Sequence, residues 1–209
     1  MTAALTVGHG HGHTHAPAAP PEVMAYLNSA PVPRALLDDR LAALRAGDAA
    51  CVLPRPDSRE GRQLVRWVAQ VVLTEQVCLD ELRRRAEAPT GTSDGDDPEP
   101  IEVSTAIAVG SITAAALAGS EAVRRVAALV TAEVRIPAGQ LAYAADVLGE
   151  EPPADPGAPT AGWHRELLQS ARLEAFARWL NAATHERVQL VRGLEHPGDS
   201  NQPDNLHRH

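Results

Sequence analysis

Nine histidines carry the pattern in this sequence that looks most like chemistry. His9, His11, His13 and His15 alternate with Gly and Thr near the start, and His196, His207 and His209 lie near the end. Imidazole is the commonest neutral metal ligand near pH 7. In an extended segment, side chains two residues apart share a face and lie ~6.6 Å apart along the chain. His11 with His13, or His207 with His209, can therefore close on one ion. Asp199 and Asp204 add carboxylates beside the C-terminal trio. Two or three histidines with one carboxylate suit Zn²⁺, Fe²⁺ or Mn²⁺ in a site with open positions, and four histidines without thiolate suit Cu²⁺, Ni²⁺ or Zn²⁺. The expected cofactor is a divalent transition metal, with Zn, Fe, Cu and Ni undistinguished. In this arrangement His196, His207 and His209 are the preferred ligands. Asp199 or Asp204 is a fourth ligand or the general base, and the four N-terminal histidines are further ligands or gatekeepers. The same composition also describes a disordered arm that chelates weakly without building a site.

The remaining reactive residues are less suggestive. His164 and His185 are 21 residues apart in sequence, or ~31 Å along one continuous helix, so they cannot share an ion. They read as a surface residue of a first helical turn and a late-turn residue that suits the helix dipole. Cys51 and Cys78 sit in apolar surroundings and read as core residues. Trp67, Phe176 and Trp179 have helical spacing and pack a core or line an apolar pocket. Arg83 to Arg85, with Arg124 and Arg125, are solvated helix charges unless a phosphate or acyl-carrier partner docks on them. The acidic run with Asp94, Asp96, Asp97 and Glu99 fails the calcium-loop pattern, with Gly95 too early and no bidentate Glu at its twelfth position. The body contains no HExxH pair, phosphate loop or nucleophile elbow.

The elements that must position these residues are mostly helical. After a Gly, His, Ala and Pro tail over 1–22, Val23 to Leu27 reads as a short strand and Asn28 to Ala30 as a turn. Pro33 is placed to open a helix marked by Leu36, Leu37, Leu41 and Leu44. Asp57 and Glu60 have capping-box spacing before a long helix from Gln63 to about Arg85, whose apolar residues Leu64, Val68, Val71, Val72, Cys78, Leu79 and Leu82 recur at helical spacing. Residues 87–100 form an acidic loop. Ile101 to Ile112 suits a strand or a helix start. Ser120 caps a further helix, and Pro137 opens another that stops at Gly149. A Pro-rich loop over 150–161 precedes the last helix, expected from Gly162 to Gly193. Residues 194–209 form a polar, His-bearing tail. The body over 23–193 is thus a mainly α, compact multi-helix bundle with at most a short strand pair, flanked by His-rich tails.

Composition narrows the class. Of 209 residues, 44% are hydrophobic, which is enough for a sizeable core, yet only 3% are aromatic, so that core is aliphatic. A net charge of -8 argues against nucleic acid as partner, because binding it needs a basic stripe. No apolar run approaches the ~20 residues that span a bilayer. The opening residues lack a secretory signal and two cysteines make no disulfide framework, so a cytoplasmic location is expected. Half-exposed apolar helices are compatible with a homodimer.

Two resemblances add to this reading. YLNSAPVPRALLDDRLAAL, RQLVRWVAQVVLTEQVCLDELRRR, LVTAEVRIPAGQLAYAADVL and LLQSARLEAFARWLNAATHERVQL, in this order, resemble the helical part of SurA-like and parvulin-type peptidyl-prolyl isomerases. The likeness covers roughly residues 23–190 and implies a SurA-N-like bundle, a cradle for extended polypeptide. In that family the isomerase domain lies between the last two helices. Here only 150–161 is available, so isomerase activity is not implied. The ending HPGDSNQPDNLHRH resembles small actinobacterial proteins labelled malonyl-CoA:acyl-carrier-protein transacylases, which implies a place near polyketide or other secondary metabolism. The label itself does not carry over, because the GH pairs of GHGHGH are followed by no nucleophilic Ser.

Three functions follow as expectations. The first is a metal-dependent tailoring enzyme acting on a small, polyketide-type molecule held in an apolar helical pocket, with the metal held by the tails. The second is a non-catalytic, chaperone-like binding protein for a peptide or carrier protein. The third is a metal buffer or metallochaperone, in which the tails are the function.

Overall fold

The computed structural model describes residues 22–87, 100–104, 106, 111–153 and 162–199. Its elements are β1 (Val23–Leu27), β2 (Ala30–Pro33), α1 (Ala35–Ala46), a 3₁₀ turn (Asp48–Val52), α2 (Arg59–Glu87), α3 (Ser111–Gly119), α4 (Glu121–Thr131), α5 (Ala138–Leu148), α6 (Gly162–Arg187) and β3 (Val188–Leu190). Of the ambiguous stretch before α3, Val103, Ser104 and Ala106 are helical, while 105 and 107–110 lie outside the described residues. No helix among the described residues is long and apolar enough to cross a membrane.

The expected strand and turn at the start are present. Asn28 and Ser29 both take positive φ, 49° and 67°, the conformation that lets a two-residue loop follow the twist of its hairpin. Ala25 then faces Val32, Tyr26 faces Pro31 and Leu27 faces Ala30. Pro31 and Pro33 lie on β2, an edge strand, where a missing N–H breaks no ladder. Pro33 therefore ends a strand and does not open α1. The ladder runs one step further, with Arg34 N donating to Glu22 O at 2.6 Å, and the helix starts at Ala35.

A second difference lies at the other end. The expected last helix stops at Arg187 and not at Gly193, because the following residues complete the sheet. Ala25, Tyr26 and Leu27 pair antiparallel with Leu190, Gln189 and Val188, giving the order β2-β1-β3. Asn28 N donates to Arg187 O at 2.8 Å. Without β3, one edge of β1 would leave its backbone groups unpaired beside a core. The sheet is thus three-stranded, one strand more than expected.

Helix α2 organises the rest. Val68, Val72 and Val77 face a core shared with Met24, Leu37 and Ala183, while Val71 and Cys78 face a second core with Leu117, Val126, Leu173 and Phe176. Trp67 and Trp179 bridge the two, and Phe176 stacks on Trp179 with centroids 5.9 Å apart. Ile136, Leu141 and Leu168 form a smaller cluster where α5 meets α6. The packing continues to Leu194, which is buried against the first core and accepts a bond from Gln70.

The caps explain where helices begin. α2 starts two residues after Asp57, and Ser58, not Asp57, caps it. The Ser58 hydroxyl accepts from Gly61 N at 2.9 Å and donates to Arg55 O at 2.8 Å. The chain approaches so closely here that a Cβ on Gly61 would run into the Arg55 carbonyl. Ser120 caps α4 as expected, accepting from Val123 N, and Gly149 ends α5 at φ 69°.

Two residues depart from their expected surroundings. Cys51 is exposed on the 3₁₀ turn, because that turn is too short to bury a face. His164 is fully buried in the first turn of α6, the helix that closes over Ile136 and Leu141. Among the described residues, neither of its ring nitrogens has a hydrogen-bond partner.

Candidate functional site

The C-terminal half of α2 carries an apolar stripe that is only partly covered, with Leu82 packed along one side against the second core. Leu79, Leu82 and Ala86 follow one another at helical spacing of three and four, so they stack along one face. Helix α4 runs beside them and buries Val123, Val126 and Ala127 in the core. Its Arg125 and Leu129, four residues apart, are left facing α2. Together with Arg83 and Arg85 these residues line a cleft of about 480 Å³, within the ~300–1,000 Å³ usual for small-ligand clefts. Its floor is aliphatic and its rim carries three guanidinium groups. Leu79 is 40% exposed, a large apolar side chain left open to an entering group.

The three arginines are not equivalent. Arg85 Nε donates to Glu81 Oε1 at 2.9 Å, and Arg83 lies 3.7 Å from Asp80. Those two acids are themselves largely buried and bind Arg187 of α6, with Arg187 2.8 Å from Glu81 and 3.8 Å from Asp80. Asn28 of the hairpin donates to Asp80 at 2.9 Å. Burial pushes the Glu81 carboxyl up, but hydrogen bonds from Arg187 and Arg85, and their charges, outweigh it and hold it below its ordinary value. Arg125 has no acceptor among the described residues and stands exposed on the rim. Its neighbour Arg124 is turned away and donates to the carbonyls of Leu117 and Ala118, closing the end of α3.

The lining sets the chemistry that the cleft can perform. Its ionisable groups are guanidiniums, which hold their protons at any ordinary pH, so they bind anions and do not relay protons. The nearby thiol of Cys78 is pushed up to about 12 by burial, with Glu81 and Glu75 adding to it, so it is no nucleophile at neutral pH. Glu75 is occupied in turn by Arg40, whose Nη2 reaches both carboxylate oxygens at 3.1 and 2.8 Å.

Of the residues expected to hold a metal, His9, His11, His13, His15, His207 and His209 lie outside the described residues, as does Asp204. His196 and Asp199 share one turn after Leu194. Asp199 N donates to His196 O at 2.9 Å, and Gly198 N donates to His196 Nδ1 at 3.0 Å. An imidazole that accepts at Nδ1 and is neutral carries its proton on Nε2. Ligation through Nε2 therefore requires this ring to change tautomer and release Gly198. Among the described residues, no three His, Cys, Asp or Glu side chains gather in a group that could hold an ion.

Residues 23–60, which form the hairpin, α1 and the approach to α2, match the model of a family of unknown function, DUF7158. No curated protein and no solved structure matches the chain. The cleft lies outside the matched segment. Its arginines were visible in the sequence as a possible docking charge, but its floor was not. Leu79 and Leu82 read as core positions, and only the placement of α4 shows that they stay open.

Proposed function

We propose that the protein is a non-catalytic binding protein that takes an extended apolar chain, presented by a small molecule, a peptide or a carrier protein, into the cleft between α2 and α4. The observation that carries this reading is the aliphatic floor of Leu79, Leu82, Ala86 and Leu129, left partly open between two helices that each bury another face in a core. The resemblance to the helical part of SurA-like foldases, a SurA-N-like bundle that cradles extended polypeptide, supports the same class of activity. That no acid, base or nucleophile lines it among the described residues is in keeping with binding.

The test uses the full chain with leucine methyl groups labelled, titrated with octanol as a neutral chain. Shifts concentrated at Leu79, Leu82 and Leu129, and lost in Leu82→Glu, are expected. Absence of shifts, or shifts spread evenly over all leucines, overturns the reading.

A metal-dependent tailoring reaction on a small molecule is the second reading. The observation favouring it is the turn that sets His196 beside Asp199 directly after the anchored Leu194. Untagged protein purified without nickel resin is expected under this reading to carry near one equivalent of a single metal. That metal is lost in a His207→Ala/His209→Ala variant. Several loosely held ions, unaffected by the variant, would support the metal-buffer reading instead.

A further inference from the structure

We propose that the occupant of the α2–α4 cleft is a carboxylate-terminated acyl chain, and that Arg125 is the residue that receives its carboxylate. The inference rests on the binding function proposed above and narrows it to one class of ligand. It begins from charge. The rim of the cleft carries Arg83, Arg85 and Arg125, and no carboxylate among the described residues that line it. An anion entering here meets cations above an aliphatic floor.

The ion pairs then decide which cation is available. Arg83 and Arg85 already have carboxylate partners on their own helix, Asp80 and Glu81, which Arg187 also engages from α6. Among the described residues Arg125 has no such partner. A guanidinium presents two parallel N–H donors at the spacing of the two oxygens of a carboxylate. One free guanidinium suits one negative charge, and a phosphate monoester carries nearly two at neutral pH. Geometry adds the tail. Arg125 and Leu129 are one turn apart on α4, opposite Leu79, Leu82 and Ala86, so a group held by Arg125 leads its chain along the aliphatic stripe.

The experiment compares three probes of equal chain length, octanol, octanoate and octyl phosphate, by the same methyl titration on the full protein. Octanoate is expected to bind about tenfold tighter than octanol, the size of one charge-assisted bidentate contact. Arg125→Gln should bring octanoate down to the octanol value and leave octanol unchanged. Arg178→Gln, on the exposed face of α6 outside the cleft, should spare the preference for octanoate. Because Arg125 is exposed and has no partner among the described residues, Arg125→Gln should melt with the wild type, so a lost preference will report binding alone.

Octanoate binding no tighter than octanol overturns the inference while leaving the cleft as an apolar-chain site. Octyl phosphate binding tighter than octanoate overturns the carboxylate assignment. A preference for octanoate that survives Arg125→Gln overturns the role of Arg125. Failure of all three probes to shift the cleft leucines removes the function on which the inference rests.

Discussion

Arg187, the last residue of α6, donates to Glu81 of α2 at 2.8 Å, while its own carbonyl accepts from Asn28 in the hairpin at 2.8 Å. One residue therefore ties three elements together at the point where helix becomes strand. Arg187 and Glu81 are each about 10% exposed, at 10% and 11% of side-chain surface, so the pair is shielded from water and salt. Removing Arg187 leaves a buried Glu81 with the half-exposed Arg85 as its close partner, and Arg187→Ala is expected to cost about 2 kcal/mol. Urea unfolding of the two proteins at neutral pH measures this. A loss no larger than that of an exposed pair, under about 1 kcal/mol, would show that water reaches Glu81.

The same pair sets a direction for acid sensitivity. Glu81 titrates below its ordinary value of 4.5 in the fold, so its carboxylate is stabilised in the folded state relative to the unfolded one. That contribution is complete above pH 4.5 and disappears as the pH falls through the lower folded value. Glu81→Gln should be less stable than wild type at pH 7, and the gap should narrow as the pH falls below 4.5. A gap that stays constant across that range would contradict the assignment.

The two cysteines should separate cleanly by reactivity. Cys51 is exposed, while Cys78 is buried in the second core with its thiol pushed up to about 12. In the native protein a disulfide reagent at pH 8 is expected to modify one thiol quickly, and Cys51→Ser should abolish that signal. The second thiol should react only after denaturant is added. Two fast thiols in the native state would mean that the α2 core opens readily.

Gly61 offers a test of the entry into α2. Its amide bonds the Ser58 hydroxyl, and any side chain there meets the backbone carbonyl of Arg55, which cannot swing aside as a side-chain tip would. Gly61→Ala should lower stability by about 2 kcal/mol, although alanine is the better helix former. An increase in stability would show that the Arg55 turn relaxes freely.

His164 makes the opposite prediction. Both ring nitrogens are buried without a partner among the described residues, as is Trp163 Nε1 beside it. A buried polar group without a partner costs ~1–3 kcal/mol. His164→Leu removes two such groups beside Trp163 and should raise stability by about 1 kcal/mol. A drop in the urea midpoint would assign the ring a bond that the apolar cluster alone does not explain.

Much of the fold was readable from local signals. The hairpin turn at Asn28, the cap at Ser120, the stop at Gly149 and the long helix through Val68 and Cys78 all follow from short-range chemistry. The errors share a different cause. Pro33, His164 and the residues after Arg187 have local preferences compatible with what was expected. A partner outside the segment decided two of them, Glu22 and Val23 for the end of β2 and β1 for Val188 to Leu190, and the burial of His164 follows from the packing of α6, which its own turn does not announce. The cleft belongs to the same group. Periodicity marks Leu79 and Leu82 as apolar positions on a helix, but whether a neighbour covers them depends on where α4 lies.

The order of strands in the small sheet bears on the protein's synthesis. β1 and β2 leave the ribosome within a dozen residues of each other and can pair at once. The other side of β1 waits for β3, which follows more than 150 residues later, after every helix has been made. Throughout that interval the growing chain displays an open strand edge, the surface on which nascent chains stick to one another. The bulge between Val23 and Ala25 falls on that strand and disturbs its regular repeat, which makes the waiting edge a poorer template for a wrong partner. Only when Arg187 docks and β3 closes does the N-terminal hairpin become part of the finished protein.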